Sequence, residues 1–113
     1  MFSLGSEHRY YLYRGSCDMR RSFNGLCGLI SSDLNLNPLS GDVFVFLNKA
    51  GTHIKLLHWE SGGFVLYYKR LEKGSISVPT NTLSDQISYS DLVLMIAGVE
   101  VLKSRQKKRY KLH

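Results

Sequence analysis

The sequence predicts an α+β fold: an antiparallel meander of three to five strands with one amphipathic helix packed on it, a short C-terminal helix and a basic tail. Three observations carry this. Strand-like runs at 43–47, 53–59 and 64–71 follow one another across short connections, which makes neighbours antiparallel. An apolar stripe at helical spacing precedes them, over 19–33. The last eleven residues hold the whole excess of positive charge.

Taken in order, Tyr10, Tyr11, Leu12 and Tyr13 form an aromatic-rich run that reads as a short strand, placed at an edge of the sheet. Asp18 suits the N-cap of the following helix. Met19, Phe23, Leu26, Cys27, Ile30 and Leu34 fall on one stripe, with Arg21, Asn24, Gly28 and Ser32 opposite, which predicts a helix over about 19–33. Gly25 and Gly28 each cost that helix roughly 1 kcal/mol against Ala.

Asn37-Pro38 and Ser40-Gly41-Asp42 mark a turn. Val43 to Leu47 is apolar throughout, as a central strand covered on both faces requires. Asn48 to Gly51 and Ser61 to Gly63 are hairpin turns. Ile76 and Val78 suggest a short further strand before Pro79, and residues 80–86 a polar loop. Ser88-x-x-Asp91 resembles a capping box before the apolar run Leu92–Ala97, and Gly98 suits a helix stop. That run fits a helix buried nearly all round, or a buried strand, since periodicity does not separate the two at this length.

Composition narrows function. The chain has 113 residues, enough for one domain. Residues 1–102 carry nine Lys/Arg and nine Asp/Glu, and 103–113 carry six Lys/Arg and no acid. The expected organisation is therefore a neutral domain, 1–102, followed by a flexible basic tail, 103–113, attracted to polyanions. A tail that only improves solubility is the bland alternative. No apolar run approaches the roughly 20 residues of a membrane span, and no signal peptide is visible. Cys17 and Cys27 form neither a disulfide framework nor a metal knuckle, so a cytoplasmic setting is expected.

Catalytic chemistry finds little support. A metal-dependent nuclease needs several converging acids. The nine here are scattered through turns and termini, and Asp42 and Glu60 are the ones to test. His53 and His58, five apart on one strand, point to opposite faces and make a poor metal pair. Cys17 lies just before the helix with no histidine next to it in sequence, which argues against a nucleophile. No catalytic residue, metal site or cofactor is assigned.

Aromatics and cations do interleave on the sheet. Lys55, Leu57 and Trp59 share one strand face; Phe64, Leu66, Tyr68 and Arg70 share a face of the next. Such a surface could stack bases and hold phosphates, or simply fill the core against the helix. Gly63 to Tyr67 echoes the latter half of an RNA-recognition signature, but Glu60-Ser61-Gly62 stands where its first half should be.

Three strings resemble one bacterial family. Cys17 to Leu26 (CDMRRSFNGL) is similar to a DMR(K/R)xFDGL segment. Ser40 to Asn48 (SGDVFVFLN) is similar to SGxxFVFxN. Ile54 to Glu60 followed by Gly63 to Glu72 (IKLLHWE, GFVLYYKRLE) resembles IKxLxWDxxGFxLWYKRLE. These belong to the TnpB accessory proteins, second reading frame of the insertion-sequence-sixty-six type of transposable element, and cover about residues 5 to 110. Asn24 stands where Asp is common, which weakens any catalytic role there; Tyr67 and Val78 stand where Trp is common.

The resemblance implies a part in DNA transposition beside a separate, larger transposase that cuts the strands. It brings no activity that transfers residue by residue. On the residues themselves, the expectation is a non-catalytic factor that binds DNA, at element ends or non-specifically, and helps assemble the transposase complex. Lys103, Arg105, Lys107, Lys108, Arg109 and Lys111 would hold phosphates. Exposed faces around Arg20, Arg21, Lys55, Lys69 and Arg70 would add contacts. The alternative is a protein–protein adaptor that docks on the transposase or a second accessory protein without touching DNA.

Overall fold

The computed structural model describes residues 4–78 and 85–98. The elements are β1 (Tyr10–Leu12), α1 (Phe23–Ser32), β2 (Val43–Leu47), β3 (His53–Glu60), β4 (Gly63–Arg70), β5 (Gln86–Ile87) and α2 (Tyr89–Ile96). They form an α+β fold around a five-stranded mixed sheet of order β4-β3-β2-β1-β5.

The meander β2-β3-β4 is antiparallel, as the short connections require. The β3–β4 loop is the two residues Ser61 and Gly62, both at positive φ (50° and 82°). That is the turn whose twist matches a hairpin. The β2–β3 turn is built by Asn48, whose side-chain oxygen accepts from the N–H groups of Thr52 and His53.

The Tyr10 strand is not at the edge. β1 lies between β2 and β5 and runs parallel to β2, pairing Tyr10 with Val43 and Leu12 with Val45. A parallel neighbour needs a crossover, and α1 sits in it. The edge place falls to β5, from the end of the expected polar loop, where Tyr10 pairs with Ile87. Ile76 is buried but forms no strand; its N–H bonds to the Gly51 carbonyl.

β2 explains why its sequence has no polar position. Val43, Val45 and Leu47 enter one core with Leu92 and Met95 of α2. Phe44 and Phe46 enter the other with Leu26 and Ile30 of α1. The sheet is therefore covered on both faces, one helix to each.

α1 starts at Phe23, four residues later than its apolar stripe suggests. Ser22 is the N-cap, and Asp18 is not. The Asp18 carboxylate instead accepts from the Arg20 N–H two residues on (2.9 Å), which folds 18–21 into a turn. The Met19 and Arg21 carbonyls are taken by the Lys55 ammonium rather than by helical N–H groups. Phe23 is accordingly displaced from the core and is 41 % exposed.

α2 is a helix, and Ser88 caps it by accepting from the Asp91 N–H at 3.1 Å. It is not buried all round: Leu92 and Met95 face the sheet, whereas Val93 (44 % exposed) and Leu94 (37 %) face outward. Gly98, at φ 81°, follows its C-terminal end. The basic tail and residues 79–84 lie outside the described residues.

Candidate nucleic-acid interface

The α1-side face of β3 and β4 carries the interleaved cations and aromatics. Register sets Lys55 beside Tyr68, Leu57 beside Leu66, and Trp59 beside Phe64. Leu57, Leu66 and Phe64 join the α1 core, so this part of the face is packing. Trp59 meets Phe64 edge-on, ring centroids 4.9 Å apart. Tyr68, further along, is 52 % exposed.

Lys55 is the organising residue. Only 4 % exposed, it is not the surface contact its charge suggests. Its Nζ donates to the carbonyl oxygens of Met19 and Arg21, both at 2.7 Å, and lies 4.7 Å from the centre of the Tyr68 ring. A buried ammonium needs such partners, since desolvation alone would cost several kcal/mol. The consequence is positional. The 19–21 turn is tied to β3, so exposed Arg20 and Arg21 stand at the margin of the Tyr68 face.

Arg20 is held by Asp18, with Nη2 2.6 Å from Oδ2. That contact lowers the Asp18 carboxyl to about 2 and raises the Arg20 guanidinium. Arg70 is on the same face as Tyr68, pairs across the ladder with His53, and bonds Glu72 through Nε at 3.0 Å. The His53 and Tyr68 rings are 5.9 Å apart. The Met19 and Arg21 carbonyls and the Tyr68 ring thus meet at buried Lys55, while the exposed Arg20 and Arg70 side chains pair with Asp18 and Glu72.

Lys69 belongs elsewhere. It is on the α2 side, where Nζ donates to the Ile96 carbonyl at 2.8 Å, a cation at a helix C-terminus. Lys103, Arg105, Lys107, Lys108, Arg109 and Lys111 lie outside the described residues. The last described residue, Gly98, packs beside Leu71, immediately after β4.

His53 and His58 do point to opposite faces. His58 is buried, 3.3 Å from Glu60 through Nε2, with its ring 5.0 Å from that of His8. Asp42 is engaged by Arg9 at 3.0 Å and by Ser40 at 2.9 Å, which gives it a structural role in holding the start of β2. Among the described residues no group of three or more His, Cys, Asp or Glu is placed to hold a metal ion. Burial pushes the Cys17 and Cys27 thiols up, away from the thiolate a nucleophile needs.

One feature escapes sequence reasoning. A cleft of about 270 Å³ opens where β1 and β2 end, between Arg14, Ser16, Asn48 and Lys49 over a floor of Leu12 and Ile76. Arg14 faces Asp85 across 3.8 Å. Only the parallel β1–β2 pairing brings these residues together, and no local signal announces it.

A two-helix, mixed-sheet α+β protein with a cationic, aromatic face is the class defined by this geometry. Its lineage is more specific: a family model described as IS66 Orf2 like protein matches residues 8–106, and the chain belongs to that family of insertion-sequence accessory proteins. Two relatives from Sinorhizobium fredii (strain NBRC 101917 / NGR234) are similar over most of their length. Uncharacterized protein y4jC is 33 % identical over 91 residues, 80 % of this chain and 78 % of that protein. Uncharacterized protein y4hO is 31 % identical over 101 residues, 88 % of each chain. No solved structure matches. Among the described residues no helix is long and apolar enough to cross a membrane.

Proposed function

We propose that this protein is a non-catalytic accessory factor of a bacterial insertion sequence that binds DNA and helps assemble the transposase complex. The observation that carries the reading is half-exposed Tyr68 with exposed Arg70 on the same strand face and exposed Arg20 and Arg21 in the turn that Lys55, opposite Tyr68, ties to the sheet. Arginines hold phosphates without reading sequence, and a tyrosine face tolerates any base. The six cations of 103–113 follow a domain whose last described residue lies beside the end of β4.

The test is binding of the full chain to labelled element-end DNA and to scrambled DNA across a salt series. If about five tail cations each neutralise a phosphate, log affinity falls with log salt at a slope of about −4 to −5. Replacing all six tail cations by Gln flattens that slope. Replacing Arg20, Arg21 and Arg70 by Gln weakens binding with the tail intact. A slope near zero for the unaltered chain overturns the reading.

A second reading, a protein adaptor docking on the transposase or another accessory protein, is favoured by Val93 and Leu94, which α2 leaves exposed. It predicts co-purification with the transposase that survives high salt and the loss of the tail charges.

A further inference from the structure

The β4 edge is unusually open. β4 is eight residues long and ends the sheet; among the described residues no strand pairs with its outer side. Natural edges are blunted by proline, bulges, charge or shortness. β4 has no proline, pairs with β3 without interruption from Gly63 to Arg70, and carries no charge before Lys69.

Hydrogen-bond parity shows which groups the edge offers. The Leu71 N–H bonds to the Thr52 carbonyl on the β3 side (2.7 Å), in the same phase as the Glu60–Gly63 pair that closes the hairpin. Odd-numbered β4 residues therefore turn their N–H and C=O toward β3. Phe64, Leu66 and Tyr68 turn theirs outward.

We propose that this edge pairs antiparallel with β4 of a second copy of the chain, about a two-fold axis through Leu66, to make one continuous sheet. The strand is complementary to itself in that register. Leu66 meets Leu66, and Phe64 meets Tyr68 on the α1 side, while Val65 meets Tyr67 on the α2 side. Aromatic–aromatic and aromatic–β-branched pairs are those that stabilise antiparallel ladders. The outward groups of residues 64, 66 and 68 form about six backbone hydrogen bonds across the axis. Charge selects the orientation. Antiparallel pairing puts Lys69 and Arg70 of one copy opposite Gly63 and Gly62 of the other, whereas in-register parallel pairing would stack like charges. Two copies joined this way display two cationic faces on one sheet.

The test is sedimentation of the full-length protein without DNA, over a concentration series at high salt. The expected result is a shift from the 12.9 kDa monomer to a species of twice that mass. Two variants return it to 12.9 kDa while keeping a cooperative melt. Tyr68→Glu acts at a half-exposed side chain and sets an acid opposite Lys55; Leu66→Pro removes an outward N–H that β3 does not use. Should Leu66→Pro unfold, Tyr68→Glu decides. A Leu66→Cys variant should cross-link to dimer under mild oxidation, because paired Cα atoms sit about 5.5 Å apart there, and the unaltered chain should not. A monomer at every concentration overturns the proposal. So does a dimer that survives Tyr68→Glu, or one that Leu66→Cys fails to cross-link.

Discussion

The Lys55 ammonium donates to the Arg21 carbonyl oxygen at 2.7 Å, across 34 residues of sequence. With the matching bond to Met19, it fixes where the 19–21 turn rests on the sheet and where α1 begins. Lys55→Met keeps most of the length of the side chain and removes the ammonium with both of its hydrogen bonds. Two carbonyls lose a charged partner, at a cost of about 2–3 kcal/mol. For a domain of this size the midpoint of thermal unfolding drops by roughly 10–20 °C. Amide exchange should speed up first over 18–24. An unchanged melt and unchanged exchange would show that the ammonium does not hold the turn.

The Asp18 carboxyl gives a pH prediction with a definite sign. The Arg20 side chain and backbone N–H hold it at about 2, against an ordinary 3.8. A depressed folded value means its stabilising contribution is complete above the unfolded value and is lost as pH falls through about 2. Carbonyl NMR titration should place the Asp18 midpoint at about 2. Arg20→Gln should move it up toward the ordinary value and leave Asp33 low, because Asp33 is held down first by the Tyr13 hydroxyl at 2.7 Å. Equal movement of both carboxyls would contradict these separate contacts.

α2 is short and has only one face on the sheet, so its docking rests on few residues. Leu92 and Met95 are wholly buried among Tyr10, Val45 and Leu56. Leu92→Ala removes three buried carbons and leaves a cavity, costing about 2–5 kcal/mol. Leu94→Ala, at an outward position, should change stability by less than about 0.5 kcal/mol. Urea unfolding of both separates them, and equal losses would mean that α2 faces the sheet differently.

Much of this arrangement is legible in the residues because the responsible physics is local. The all-apolar Val43–Leu47 announces a strand covered on both faces, and Ser88 with Asp91 announces a helix start. What local pattern missed was decided at long range. The parallel pairing of Tyr10 with Val43 depends on a crossover, which no window of a few residues contains. Asp18 has the chemistry of an N-cap, but its carboxylate found Arg20 and its turn found Lys55. The same distant contact turned Lys55 from an apparent surface cation into a buried structural one. Of the candidate site, sequence marked the charges and the aromatic alternation. It did not separate Arg70, beside Tyr68 on one face, from Lys69, which α2 claims on the other.

The β3–β4 turn supplies a prediction that is independent of both cores. Ser61 and Gly62 both adopt positive φ, 50° and 82°. A serine there is strained, whereas asparagine tolerates the left-handed region and Asn-Gly is the preferred pair for this turn. Ser61→Asn should therefore stabilise the protein, by about 0.5 kcal/mol and roughly 2–4 °C in the melting midpoint. Gly62→Ala should do the reverse. A Cβ there meets nothing within 4 Å, so its whole cost is the backbone conformation, about 1–2 kcal/mol. Thermal melts of both variants beside the unaltered chain check the pair. If Gly62→Ala were neutral, the two-residue turn assigned to Ser61 and Gly62 would be wrong.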